Sequence, residues 1–104
     1  MRRYEEYYND YYFDIDLEIF FEDLGDYTET KVRKMLKDAG AWDVCITDII
    51  TVEEDEVMVK ASITLTQYGY NEQETLNDAM EPIRRALLDE AIDYDWELDR
   101  TEVA

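Results

Sequence analysis

Residues 13–22 read FDIDLEIFFE, in which Phe13, Ile15, Leu17, Ile19 and Phe21 alternate with Asp14, Asp16, Glu18, Phe20 and Glu22. A period of two sends the first set to one face of a β-strand and the second to the other, so the stretch predicts a strand with one face buried and one in water. The same period returns near the end of the chain in Asp93-Tyr94-Asp95-Trp96-Glu97-Leu98-Asp99. Two such stretches, far apart in sequence, point to a sheet covered on one side only.

The residues between them supply the cover and the remaining strands. Leu24-Gly25-Asp26 breaks the first strand, and Val32, Met35, Leu36 and Ala39 then follow helical spacing over Thr28 to Ala39, with Gly40 as the stop. Lys31, Arg33, Lys34 and Lys37 make this helix the basic element of an acidic chain. From Trp42 to Val52 the chain is β-branched and apolar, with Trp42, Val44, Ile46, Ile50 and Val52 in one phase. Asp48 interrupts that phase, and because a buried unpaired carboxylate is costly, a bulge, a bend or the end of regular pairing is expected near Thr47-Asp48. Trp42 and Trp96 are assigned to the core. After the polar turn Glu53-Glu54-Asp55-Glu56 comes a third strand, with Val57, Val59, Ala61, Ile63 and Leu65 inward and Met58, Lys60, Ser62, Thr64 and Thr66 outward. Asn71-Glu72-Gln73-Glu74 opens a second helix carrying Leu76, Ala79, Met80, Ile83, Leu87 and Ala91 on one stripe, in which Pro82 is expected to force a kink or a split.

The order β-α-β-β-α-β is the split βαβ pattern of ferredoxin-like folds, an α+β class with a four-stranded antiparallel sheet and two helices on one face. Resemblance to that fold implies the strand order 4-1-3-2, which makes the first and last strands neighbours. The domain is placed at residues 13–104. Residues 1–12, MRRYEEYYNDYY, form a separate Tyr-rich acidic segment whose Tyr4, Tyr7, Tyr8, Tyr11 and Tyr12 fit one side of a short helix, though the same letters also fit a lead-in to the first strand.

Composition narrows the chemistry. The 104 residues hold 28 Asp and Glu against 10 Lys and Arg, a formal charge of −18, yet 46% are hydrophobic and only three are Gly and one Pro, which is too apolar for a disordered acidic tail. There is no His, which removes imidazole bases and His metal ligands, and the single Cys45 allows neither an internal disulfide nor a paired-cysteine zinc site. A cytoplasmic setting is expected, with no membrane span and no signal-like run after Met1-Arg2-Arg3. Direct binding to nucleic acid or an anionic membrane is disfavoured by the sign of the charge, whereas basic partners are favoured.

If the first and last strands are adjacent, Asp14, Asp16, Glu18 and Glu22 share an open face with Asp93, Asp95, Glu97 and Asp99. Like charges facing one another across strands cost about 0.2–1 kcal/mol per pair, so a sheet indifferent to this face would use Lys, Thr or Ser at some of these positions. Carboxylates repeat about every 6.6 Å along a strand and about 4.8 Å between strands, close enough to the spacing of phosphates for a twisted acidic sheet to approximate a polyanion. Such a surface competes for a Lys/Arg groove and is steered to it by long-range attraction, with Tyr side chains as anchors. The candidate partner-binding set also takes in Glu5, Glu6, Tyr7, Tyr8, Asp10 and Tyr11, while Tyr4, Tyr12, Phe20, Tyr68 and Tyr70 are further aromatics expected at the surface.

In size, Asp/Glu density and segments such as YEEYYNDYY, the chain resembles the small acidic inhibitors that phages and mobile elements use against host defence, the anti-CRISPR and anti-restriction nucleic-acid mimics. The resemblance implies a non-catalytic phage protein that occupies the basic site of a host nucleic-acid-binding complex in the host cytoplasm, with no cofactor. A structural or oligomerising ferredoxin-like module with a solvated acidic face is the alternative, and a homodimer through the helices or the N-terminal segment suits either. Neither 53–56 nor 14–18 has the loop of a calcium site, no sugar cleft accompanies the carboxylates, and no metal or catalytic residue is assigned.

Overall fold

The computed structural model describes residues 9–104 and contains β1 (Asn9–Glu22), α1 (Tyr27–Asp38), β2 (Asp43–Glu53), β3 (Glu56–Gly69), α2 (Glu72–Glu90) and β4 (Asp93–Val103). All pairings are antiparallel, and the strands lie in the order β2-β3-β1-β4. This is the ferredoxin-like α+β arrangement, and the first and last strands are neighbours.

Alternation drives the burial. Phe13, Ile15, Leu17, Ile19 and Phe21 of β1 and Val57, Val59, Ala61, Ile63 and Leu65 of β3 point to the same side and are at most 3% exposed. Onto them α1 lays Val32, Met35 and Leu36, and α2 lays Leu76, Ala79, Met80, Ile83 and Leu87. Gly25 and Gly40, at φ 63° and 110°, make the turns before and after α1 that a side chain would strain. Asn71 caps α2 by accepting a hydrogen bond from the Glu74 amide at 2.9 Å. Pro82 does not split α2, which runs unbroken through it as a 19-residue helix.

Three expectations are corrected. Strand β1 begins at Asn9, so the boundary drawn between residues 12 and 13 falls inside a strand, and Tyr11 and Tyr12 are strand residues. Tyr11, expected to bind a partner, is 7% exposed because its parity matches Phe13, on whose ring it stacks at 5.7 Å. Trp42 is 66% exposed: it lies just before β2, Ala41 takes the inward position beside it, and the indole meets the Tyr12 ring edge-on at 6.4 Å. The anticipated irregularity in β2 is present, with the register moving between Ile46 and Asp48 so that Thr47 is the extra residue. That step reverses the phase. Asp48 and Ile50 thereafter lie opposite Lys60 and Met58 on the open side, and Ile49 lies opposite buried Val59.

The helices cover the sheet unevenly. α1 lies on β2 and α2 on β3 and β1, while β4 receives the least cover, leaving Tyr94, Trp96 and Leu98 half-buried at the margin of the core. Trp96 therefore belongs to the core only in part.

Candidate interaction face

The open face is a grid whose rows are set by strand register. In one row Asp14 lies between Thr64 of β3 and Arg100 of β4, in the next Asp16 lies between Ser62 and Glu97, in the third Glu18 lies between Lys60 and Asp95, and in the fourth Phe20 lies between Met58 and Asp93. Asp43, Cys45, Asp48 and Ile50 of β2 extend these rows beyond β3. Neighbouring rows on one face are separated by about 6.6 Å and neighbouring strands by about 4.8 Å.

Each β1 carboxylate in the first three rows has a partner on β3. Thr64 Oγ1 donates to Asp14 at 3.1 Å, Ser62 Oγ donates to Asp16 at 3.0 Å, and Lys60 Nζ stands 4.0 Å from Glu18. Toward β4 the pattern reverses. Asp16 faces Glu97 and Glu18 faces Asp95 directly, two like-charge pairs across one seam. Asp16, Glu18, Asp95, Trp96 and Glu97 together line an open depression of about 360 Å³. Arg100 is the cation of β4, and it holds Asp14 at 3.4 Å and Glu102 at 3.3 Å.

Asp93 and Asp95 have a second task. Their carboxylates accept the amides of Tyr94 at 2.8 Å and Trp96 at 3.0 Å, each one residue onward along β4. An amide turned to a side chain beside it is not turned to a neighbouring strand, so these acids cap the outer edge of the sheet.

Of the residues singled out from the sequence, Asp14, Asp16, Glu18, Asp93, Asp95 and Glu97 are brought together on the open face. Glu22 lies further along, opposite Glu56 of β3. Asp99 departs from the row: the register shifts between the Ile15–Leu98 and Asp14–Arg100 pairs, which leaves it as the extra residue of a bulge. Asp10 is exposed at the far end of β1 opposite Tyr68, and Tyr68 and Tyr70 are 55% and 52% exposed. Glu5, Glu6, Tyr7 and Tyr8, like Tyr4, lie outside the described residues.

Sequence reading missed Arg100, Glu102, Asp43 and Asp48 as members of the face. The signal for the first two was the resumption of alternation one step out of phase in Arg100-Thr101-Glu102-Val103, where Thr101 lies opposite Phe13 and Val103 opposite Tyr11 on the inner side. On the helical side the charges are largely spent within the molecule. Lys31 pairs with Glu90, Arg33 with Glu29 and Lys34 with Asp38, whose carboxylate raises the lysine's pKa. The hydrogen bond from Arg84, aided by Arg85, holds the Glu81 carboxyl below its usual range. Among the described residues, no group of three or more Cys, Asp or Glu is arranged to hold a metal ion, and no helix is long and apolar enough to cross a membrane.

No protein-family model matches the chain, and no curated protein does. Among solved structures it is similar to the apo form of LarC2, described as the C-terminal domain of a cyclometallase involved in the synthesis of the NPN cofactor of lactate racemase. The identity is 18% at a TM-score of 0.51, over 91% of this chain and 57% of the other. At that identity the likeness is one of fold, and this chain spans little more than half the length of its neighbour.

Proposed function

We propose that this protein is a non-catalytic inhibitor that presents a polyanion-like carboxylate face to the basic site of a nucleic-acid-binding complex. The observation that carries the reading is the seam in which Asp16 meets Glu97 and Glu18 meets Asp95 on the uncovered side of the sheet. A repulsive seam costs folding energy in isolation and repays it when a row of Lys and Arg side chains settles over it. The flanking aromatics Tyr12, Trp42 and Tyr68 sit beyond the acidic rows, where rigid amphipathic rings anchor a partner while the charges steer it. The resemblance in charge and size to phage inhibitors directs the search to CRISPR-Cas and restriction complexes of a bacterial host, in whose cytoplasm the protein would act.

The test is inhibition of DNA cleavage by a panel of such complexes at increasing NaCl. Inhibition is expected to fall steeply with salt and to be lost in the variant Asp95→Lys/Glu97→Lys, with the far-UV spectrum unchanged. The same acids at Asp14 are a poor choice for reversal, because Arg100 already holds that carboxylate. Inhibition that survives both charge reversals, or a panel that is wholly indifferent to the protein, would overturn the reading.

A further inference from the structure

A sheet of four strands has two outer edges, here β2 and β4, and each exposes a line of backbone donors and acceptors that invites another strand. The first part of edge β4, up to Trp96, is blunted by the Asp93 and Asp95 carboxylates bonded to the Tyr94 and Trp96 amides. The start of β2 is guarded by α1: Arg33 donates to the Val44 carbonyl at 2.8 Å, and Lys37 donates to the Trp42 carbonyl at 3.1 Å. Past the Thr47 bulge, Asp48 accepts the Ile49 amide at 2.9 Å. Beyond that point, among the described residues, no side chain hydrogen-bonds to the backbone of residues 50–53.

Strand parity says which groups are open there. The Ile49 amide is turned to the Asp48 side chain rather than to β3, so Thr51, two residues on and before the next register shift, directs its amide and carbonyl outward as well. The side chains around this stretch are apolar, with Ile49, Ile50 and Val52 at 37%, 37% and 41% exposed. Acids bracket it, with Asp48 on one side and Glu53, Glu54, Asp55 and Glu56 on the other.

We infer that the Ile49–Glu53 edge of β2 is a strand-addition site for an extended segment of a basic partner, one in which aliphatic residues alternate with Lys or Arg. Main-chain bonds to Thr51 supply the anchorage, Ile50 and Val52 supply apolar contact, and the bracketing acids select for cations. Charge decides against a second copy of this chain. Antiparallel pairing of the segment with itself about Thr51 sets Asp48 opposite Glu54 twice. The site lies on the β2 edge, across β3 from the β1–β4 seam, so the inference stands or falls separately from the mimicry reading.

The probe is a fluorescein-labelled octapeptide of alternating Lys and Val, followed by anisotropy and by the amide shifts of the full-length protein. Binding should perturb residues 49–53, weaken at least tenfold when Lys is replaced by Glu, and weaken at least tenfold with Thr51→Pro, which removes one outward amide at a position where an edge strand tolerates proline. Should Thr51→Pro not fold, two N-methylated peptides decide: methylating one alternate set of peptide amides should abolish binding and methylating the other should not. Equal tolerance of both sets, shifts confined to β1 and β4, or a concentration-dependent dimer of the protein that disappears in Thr51→Pro would overturn the inference, the last by assigning the edge to a second copy.

Discussion

Strand β1 has the same carboxylates on both of its sides, yet its two seams are built oppositely. Toward β3, Asp14 meets Thr64, Asp16 meets Ser62 and Glu18 meets Lys60, and each contact offers a hydrogen-bond donor or a cation. Toward β4, Asp16 meets Glu97 and Glu18 meets Asp95, with Arg100 relieving the Asp14 row alone. The chain's overall acidity cannot account for the difference, since both seams share it. What differs is position: β3 lies inside the sheet, whereas β4 is an edge whose acids turn to solvent and to the strand's own outer amides as well as across to β1. Over the rows from Asp14 to Glu18 the chain thus neutralises its carboxylates on the inner side of β1 and leaves two of them opposed on the edge side, while at the end of the inner seam Glu22 meets Glu56.

The largest effect comes from breaking both seams together. Leu17 sits beneath them, opposite Ala61 on β3 and Trp96 on β4, and is 2% exposed. Leu17→Ala is expected to cost about 2–5 kcal/mol, a large share of the roughly 5–15 kcal/mol that holds a domain together, and denaturant titration measures it. A loss below about 1 kcal/mol would mean that the two seams do not rest on a common core.

The next effect has the opposite sign. Asp95→Lys/Glu97→Lys turns two repulsive cross-strand pairs into attractive ones and is expected to stabilise the protein, with a gain of about 0.8–4 kcal/mol at roughly 0.2–1 kcal/mol for each repulsion removed and each attraction formed. Loss of the exposed bond between Asp95 and the Trp96 amide takes back about 0.5–1.5 kcal/mol of that. Salt sharpens the contrast. Added NaCl screens exposed charges, so the thermal midpoint of the unaltered protein should climb with salt more steeply than that of the double variant. If the two climb in parallel, the β1–β4 seam is not where the repulsion resides.

Much of this architecture was legible from periodicity. The alternation in 13–22 and 93–99 gave two strands with one polar face each, their adjacency came from the resemblance to the ferredoxin-like fold, and helical spacing placed α1 and α2 within a residue or two. The break at Asp48 revealed the bulge, because a carboxylate in an apolar phase has no stable inward position. What escaped was the consequence of the bulges. One extra residue at Thr47 sends Ile50 outward, and one at Asp99 returns Arg100 to the acidic face, and neither flip is visible until the partner strand is aligned. Tyr11 and Tyr12 admit two readings in the sequence, since spacing at i, i+3, i+4, i+7 and i+8 from Tyr4 suits a helix stripe and the same run suits a lead-in to β1; strand parity then separates the two, burying the first and leaving the second beside Trp42. The contacts that settle which acids are spent, hydrogen bonds from Ser62 and Thr64 and the ion pair from Arg100, join residues far apart in sequence and belong wholly to the folded state.

The smallest effect tests the neutral seam. Lys60 stands in a row with Asp48 on one side and with Glu18 and then Asp95 on the other, and its contact with Glu18 is a half-exposed pair at 4.0 Å. Such a pair contributes little in itself, about 0–1 kcal/mol, so Lys60→Ala should hardly move the unfolding midpoint. Lys60→Glu should do more, because it sets like charges against both Glu18 and Asp48 and carries the repulsive pattern across the inner strand. The expected loss is about 0.5–1 kcal/mol at low salt, shrinking as NaCl is added. A Lys60→Glu protein as stable as the Lys60→Ala protein would show that the grid absorbs another carboxylate without strain. The difference between the two seams would then be one of composition along β3 and not of electrostatic need.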